Sequence, residues 1–157
     1  GSVEAARSGD RNRVYAIEKK PEAVQLLEQN RKKFRTDGIC IIEGEAPEAL
    51  RKLEPPTHVF IGGSSGNLHE ILQLVLDKNP SARIVINAIS LETVAYVMAA
   101  IEEGLLKDAQ ITQIMAARSR MIGRYHMMNG QNPVYIISAG GEMQDNGSQE
   151  PERSADR

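Results

Sequence analysis

The chain has 157 residues, 41% of them hydrophobic and 25% charged, proportions that fit one folded domain and exclude wholesale disorder. Its 19 basic and 21 acidic residues leave a formal charge of −2, which argues against a protein that lives by gripping nucleic-acid backbone. No apolar run approaches the roughly 20 residues that span a bilayer, no leader-like segment opens the sequence, and the single cysteine, Cys40, allows no internal disulfide. A soluble protein of a reducing compartment, the cytoplasm, is expected, with no metal site.

Arg13 to Glu18 (RVYAIE) predicts a first strand. Pro21 stands where a first helical turn accepts proline, Val24, Leu27, Arg31 and Phe34 follow at helical spacing, and Gly38 is expected to end the segment. Ile39 to Glu43 (ICIIE) is a continuous apolar run, the pattern of a strand buried on both faces. A short helical stretch through Leu50 and Leu53 follows Pro47 and stops at Pro55 and Pro56. His58 to Ile61 (HVFI) predicts a third strand that runs into Gly62-Gly63-Ser64-Ser65-Gly66. Asn67, with Glu70 three residues on, has the pattern of a capping box before a helix carrying Leu68, Ile71, Leu72, Val75 and Leu76. Arg83 to Ile89 (RIVINAI) is a fourth strand, Ser90 caps the helix from Leu91 through Ile101, and Gly104 ends it.

The rhythm then changes. Gln110 to Ala117 and Pro133 to Ala139 both read as strands with no helix between them. Gly123, Asn129-Gly130 and Asn132-Pro133 make residues 118–132 a loop or an extended hairpin arm. Residues 141–157 are polar and are expected to form a disordered tail after a domain over 1–140. Strand and helix alternating four times predicts an α/β fold, a parallel sheet with helices on both faces. A closing pair without a crossover helix must be antiparallel.

In such a sheet, ligands sit beyond the carboxyl ends of the strands. Glu18 ends the first strand, where a carboxylate can accept both hydroxyls of a ribose or stand as a solvated acid. Gly44-Glu45-Ala46 follows the second, either lying against an adenine edge or forming a plain turn. Gly62 to Gly66 follows the third; its glycines let backbone approach a ligand, or make a tight strand-to-helix turn. Asn87 and Ser90 end the fourth, with Ser90 read as a helix cap rather than a catalyst. Arg118, Arg120 and Arg124 on the arm suit a ligand rich in carboxylates, against the plainer reading of a solvated arm or subunit contact. Cys40 is read as core, His126 lacks a nearby acid, and Met98, Met115, Met121, Met127 and Met128 are expected to fill core and interface gaps. No catalytic base stands out.

The segments VYAIEKKPEAV, IIEGEAPEAL, FIGGSSGN and ARSRMIGRYHMMNGQNPVYIISA together resemble the decarboxylating precorrin methyltransferases of cobalamin biosynthesis. These form the carboxy-terminal half of precorrin-6Y methylase or its free-standing counterpart on the cobalt-containing intermediate. The resemblance covers Val14 to Ala139 and rests on the order and spacing of the motifs. It implies a class I S-adenosylmethionine-dependent methyltransferase fold (Rossmann-like), with Glu18 holding the cofactor ribose and Gly44, Glu45 and Ala46 bordering the adenine. Gly62, Gly63 and Ser64 would then line the methionine end and the substrate mouth. Asn87 and the arm arginines are assigned to the substrate, a precorrin tetrapyrrole methylated at a meso carbon as a ring acetate loses carbon dioxide. A homotetramer with the arm in its assembly is implied, and fusion to an upstream methylase domain is left open. The family also places a central strand and a glycine loop before the region seen here, and that strand and most of that loop are expected to be missing. Two other readings are kept: a class I methyltransferase for RNA or another small molecule, and a non-catalytic oligomerisation fragment.

Overall fold

The computed structural model describes residues 12–18, 20–35, 38–43, 46–62 and 67–140. Four βα units come first: β1 (Val14–Glu18), α1 (Pro21–Phe34), β2 (Ile39–Glu43), α2 (Ala46–Arg51), β3 (His58–Gly62), α3 (Leu68–Lys78), β4 (Arg83–Ala88) and α4 (Leu91–Glu102). Four strands close the chain: β5 (Gln110–Ile114), β6 (Ala117–Ile122), β7 (Tyr125–Gly130) and β8 (Val134–Ala139). The main sheet has the order β2-β1-β3-β4-β8-β5, while β6 and β7 form a separate two-stranded arm. The first four strands run parallel, and β8 is antiparallel to both β4 and β5, as the missing crossover helix requires.

Alternation along the strands sorts the core into two faces. Tyr15, Ile17, Val59, Ile61, Ile84, Ile86 and Ile137 face Leu50 of α2, Leu72 and Val75 of α3 and Val97 of α4. Val14, Ala16 and Ile39 face the other way, with Leu27 of α1 packed against them. The N-terminal ends of the strands are tied by side chains bonded to backbone. Tyr15 donates its hydroxyl to Glu54 O (2.7 Å), Arg13 Nε to Pro55 O (2.6 Å) and Lys78 Nζ to Leu53 O (2.6 Å).

Several expectations are corrected. β2 lies at the sheet edge, so Cys40 and Ile41 are only half-buried and Glu43 is exposed; an apolar run does not by itself distinguish an edge strand from a central one. α1 ends at Phe34 because Arg35 takes the left-handed conformation (φ 51°) and donates to Arg31 O and Lys32 O, three residues before Gly38. Asn67 makes no capping bond, and Glu70 instead pairs with Arg51 of α2 at 2.8 Å. Ser90 does cap α4, accepting from Thr93 N–H, and Gly104 follows the helix with φ 77°. The fifth strand stops at Ile114, and Ala117 already belongs to the arm. No methionine among 98, 115, 121, 127 and 128 enters the core; all five are exposed. Among the described residues no strand precedes β1, and β1 and β3 are direct neighbours. Residues 141–157 lie outside the described part.

The arm is a regular hairpin turning at Gly123-Arg124. Gly123 has φ 61° while Arg124 does not enter the positive region, the pattern of a type II′ turn with glycine first. Its root lies at the carboxyl edge of the parallel strands, because Ala88 pairs with Tyr135 and Ile114 with Val134.

Candidate active site

Parallel register brings the strand ends into one row. Glu43 stands beside Glu18, Glu18 beside Gly62, and Gly62 beside Asn87, across four adjacent strands. Three of the residues singled out in the sequence (Glu18, Gly62 and Asn87) therefore meet in space although 69 positions separate the first from the last. They line a cleft of about 210 Å³ together with Ala16, Ile17, Leu27, Phe60, Ile61 and Val85. That is below the roughly 300 Å³ at which small-molecule pockets usually begin. The cleft takes one ring or sugar of a ligand, and the remainder must lie outside it.

The cleft has an acidic rim and an apolar floor. Glu18 is half-buried, and its Oε1 accepts a bond from Lys20 N–H (3.1 Å), which holds the carboxylate back toward the β1–α1 turn. Gly62 leaves room for the carboxylate beside it: a β-carbon built there would meet Glu18 Oε2 and displace the end of that side chain. Among the described residues that line the cleft, Glu18 is the only titratable one. The site can bind and orient hydroxyl groups, and among its described lining residues there is no histidine, lysine or thiol.

The floor was missed as a site in the sequence. Ala16, Phe60 and Val85 read there as ordinary strand residues. The available signal was the two-residue period, since each stands two positions before a strand-end residue already chosen: Ala16 before Glu18, Phe60 before Gly62, Val85 before Asn87.

A family model described as the precorrin methyltransferase domain matches residues 1–140. The chain belongs to this family. The probable cobalt-precorrin-6B C(15)-methyltransferase (decarboxylating) of Methanothermobacter thermautotrophicus is 39% identical over 142 residues, covering 89% of this chain and 73% of that protein. A protein of the same name from Pyrobaculum calidifontis is 37% identical, covering 88% and 71%. Among solved structures, the precorrin-8W decarboxylase of Methanobacterium thermoautotrophicum shares 40% identity at a TM-score of 0.64, over 82% of this chain and 70% of that one. The precorrin-6Y C5,15-methyltransferase of Geobacter metallireducens shares 33% at 0.67, over 88% and 74%. A SAM-dependent O-methyltransferase from Thermotoga maritima, 14% identical at a TM-score of 0.53, shares the fold alone. The α/β sheet is thus that of the class I methyltransferases, with an antiparallel strand pair at its end.

Other sequence-chosen positions of this precorrin methyltransferase domain are less tightly gathered. Ala46 opens α2 just beyond β2, while Gly44, Glu45, Gly63 and Ser64 lie outside the described residues. Arg118 and Arg120 share one face of the arm with Ile122, Tyr125 and Met127, and none of the arm arginines lines the cleft. Arg124 sits at the turn with its guanidinium 5.2 Å from the Tyr125 ring centroid, and its Nε donates to the Tyr125 hydroxyl (3.1 Å). Ser90 is engaged as a cap and offers no catalytic hydroxyl.

Proposed function

We propose that this chain is an S-adenosylmethionine-dependent C-methyltransferase that methylates a meso carbon of a precorrin and releases a ring acetate carboxyl as carbon dioxide, in cytoplasmic cobalamin biosynthesis. The observation that carries this reading is the row Glu18–Gly62–Asn87 at the carboxyl ends of parallel strands, in a chain of this family. The names of its relatives, decarboxylating methyltransferases of cobalt-precorrin-6B, support the same substrate class.

The residues suit that chemistry. Bound cofactor supplies a methyl group already activated by its sulfonium. Glu18 accepts the two ribose hydroxyls, and Gly62 leaves the backbone open beside them. Ala46, with Gly44 and Glu45, borders the adenine; Gly63 and Ser64 complete the methionine end and the substrate mouth; Asn87 faces the substrate. A cleft whose described lining offers no histidine, lysine or thiol fits catalysis by alignment of an electron-rich ring carbon rather than by a covalent nucleophile. The electron pair left by departing carbon dioxide is taken up by the conjugated macrocycle. The arm supports assembly into a homotetramer: Met121, Ile122, Tyr125, Met127 and Met128 are all exposed on a two-stranded element, which is marginal in water by itself.

Calorimetric titration with S-adenosylhomocysteine tests the reading. Saturable one-to-one binding is expected, and Glu18→Ala is expected to weaken it by about tenfold or more, the equivalent of losing hydrogen bonds to a charged acceptor. A folded chain that binds no S-adenosylhomocysteine, or one indifferent to Glu18→Ala, overturns it.

A further inference from the structure

The cleft is too small for a tetrapyrrole, so a flat macrocycle must rest on the surface around it. Asn87 lines the cleft, and the four residues after it carry the chain from the end of β4 into α4. Ala88 is buried in the core. The Ser90 hydroxyl is consumed at the head of α4, accepting from Thr93 N–H (3.2 Å) and sharing a bond with Thr93 Oγ1 (2.9 Å). What this turn presents outward is Ile89 and Leu91, 55% and 73% exposed. The cap holds both in place, because it fixes the turn between them.

Sheet register extends this apolar surface. Ala88 stands opposite Tyr135, and Val134 opposite Ile114. The β4–β8 pairing ends at Ala88, and carrying its register one residue further sets Ile89 toward Val134, beyond which Ile114 pairs and Met115 follows at the root of the arm. Ile114 and Met115 are 47% and 74% exposed. Scattered apolar residues on a surface need no explanation, but four exposed large ones gathered at the edge of the sheet where the cleft opens suit a binding surface. Arg118 and Arg120 come next along the chain, on one face of β6.

We propose that Ile89, Leu91, Ile114 and Met115 form an apolar bed for the face of a polycarboxylated tetrapyrrole, whose peripheral carboxylates reach Arg118 and Arg120. This rests on the methyltransferase reading above. Shape and charge select the occupant. An aliphatic surface bounded by guanidiniums complements a flat, apolar ring fringed with carboxylates.

The test uses the full chain and two probes: uroporphyrin, a flat octacarboxylate followed by its fluorescence, and S-adenosylhomocysteine by calorimetry. Leu91→Gln/Met115→Gln is expected to weaken uroporphyrin binding about tenfold at fixed salt, the effect of losing part of the burial of two large side chains. Affinity for S-adenosylhomocysteine and hydrodynamic mass are expected to stay at wild-type values. Arg118→Ala/Arg120→Ala is expected to weaken uroporphyrin and flatten its salt dependence. Uroporphyrin binding that is absent in the wild type, or unchanged in Leu91→Gln/Met115→Gln, overturns the bed while leaving the cofactor reading intact. A change in mass assigns the row to contact between copies and overturns it too. Failure of the wild type to bind S-adenosylhomocysteine strikes the methyltransferase reading, and the uroporphyrin titration still reads the bed separately.

Discussion

His58 shows how far one side chain's environment can depart from what its identity suggests. Burial first, and then the Arg83 guanidinium, lower its pKa below the ordinary 6.5. Arg83 is its register partner on β4, and Thr57 Oγ1 lies 3.0 Å from its Nδ1. It stands at the start of β3, the end of the strand opposite Gly62, so the shift has a structural and not a catalytic consequence. Just below pH 6.5 the unfolded chain binds a proton that the folded chain does not. Stability from this site is therefore complete above 6.5 and is lost as pH falls toward the folded value. Thermal unfolding followed from pH 7 down to pH 5 is expected to show a steeper drop in midpoint for the wild type than for His58→Gln. Parallel curves for the two would remove His58 as the cause.

Helix ends show where local sequence decides and where packing overrides it. Ser90 and Asn67 both precede helices and both are good capping residues, yet only Ser90 caps. Asn67 has φ −99° and ψ 9°, outside the extended conformation in which an N-cap side chain reaches forward, and Glu70 is drawn away to Arg51. Ser90, at φ −101° and ψ 148°, has that conformation. Ser90→Ala is expected to cost about 1 kcal/mol, a fall of about 2–4 °C in thermal midpoint for a domain of this size. Asn67→Ala is expected to change the midpoint by less than that. Differential scanning calorimetry on the pair checks both, and an equal loss in each would show that Asn67 contributes an interaction other than a cap.

At the scale of the molecule, the arm and the sheet are separable. β6 and β7 pair only with each other, every residue of both is exposed, and Gln131 N–H donates to Ala116 O (2.9 Å) across the base. Replacing residues 117–130 by an Asn-Gly turn is expected to leave the unfolding midpoint within a few degrees of wild type, because no buried surface is removed. Hydrodynamic mass is expected to fall to that of one chain if the arm holds the assembly together. A collapse of the midpoint would instead make the arm part of the folding unit.

The βα alternation, the first, third and fourth strands to within one residue at an end, the Ser90 cap and the antiparallel ending are local patterns, and the sequence alone determined them. Glu18, Gly62 and Asn87 were legible too, because strand ends carry polar or glycine residues where an apolar run stops. The edge position of β2, the insertion of β8 between β4 and β5, and the left-handed Arg35 depend on which strands pair and which helix covers them, and no short window encodes that. Tertiary structure alone brought the end of β4, before Ile89 and Leu91, to the same edge of the sheet as the end of β5 at Ile114. Side chains more than 20 positions apart come together only through sheet register, and that is set by the whole core at once.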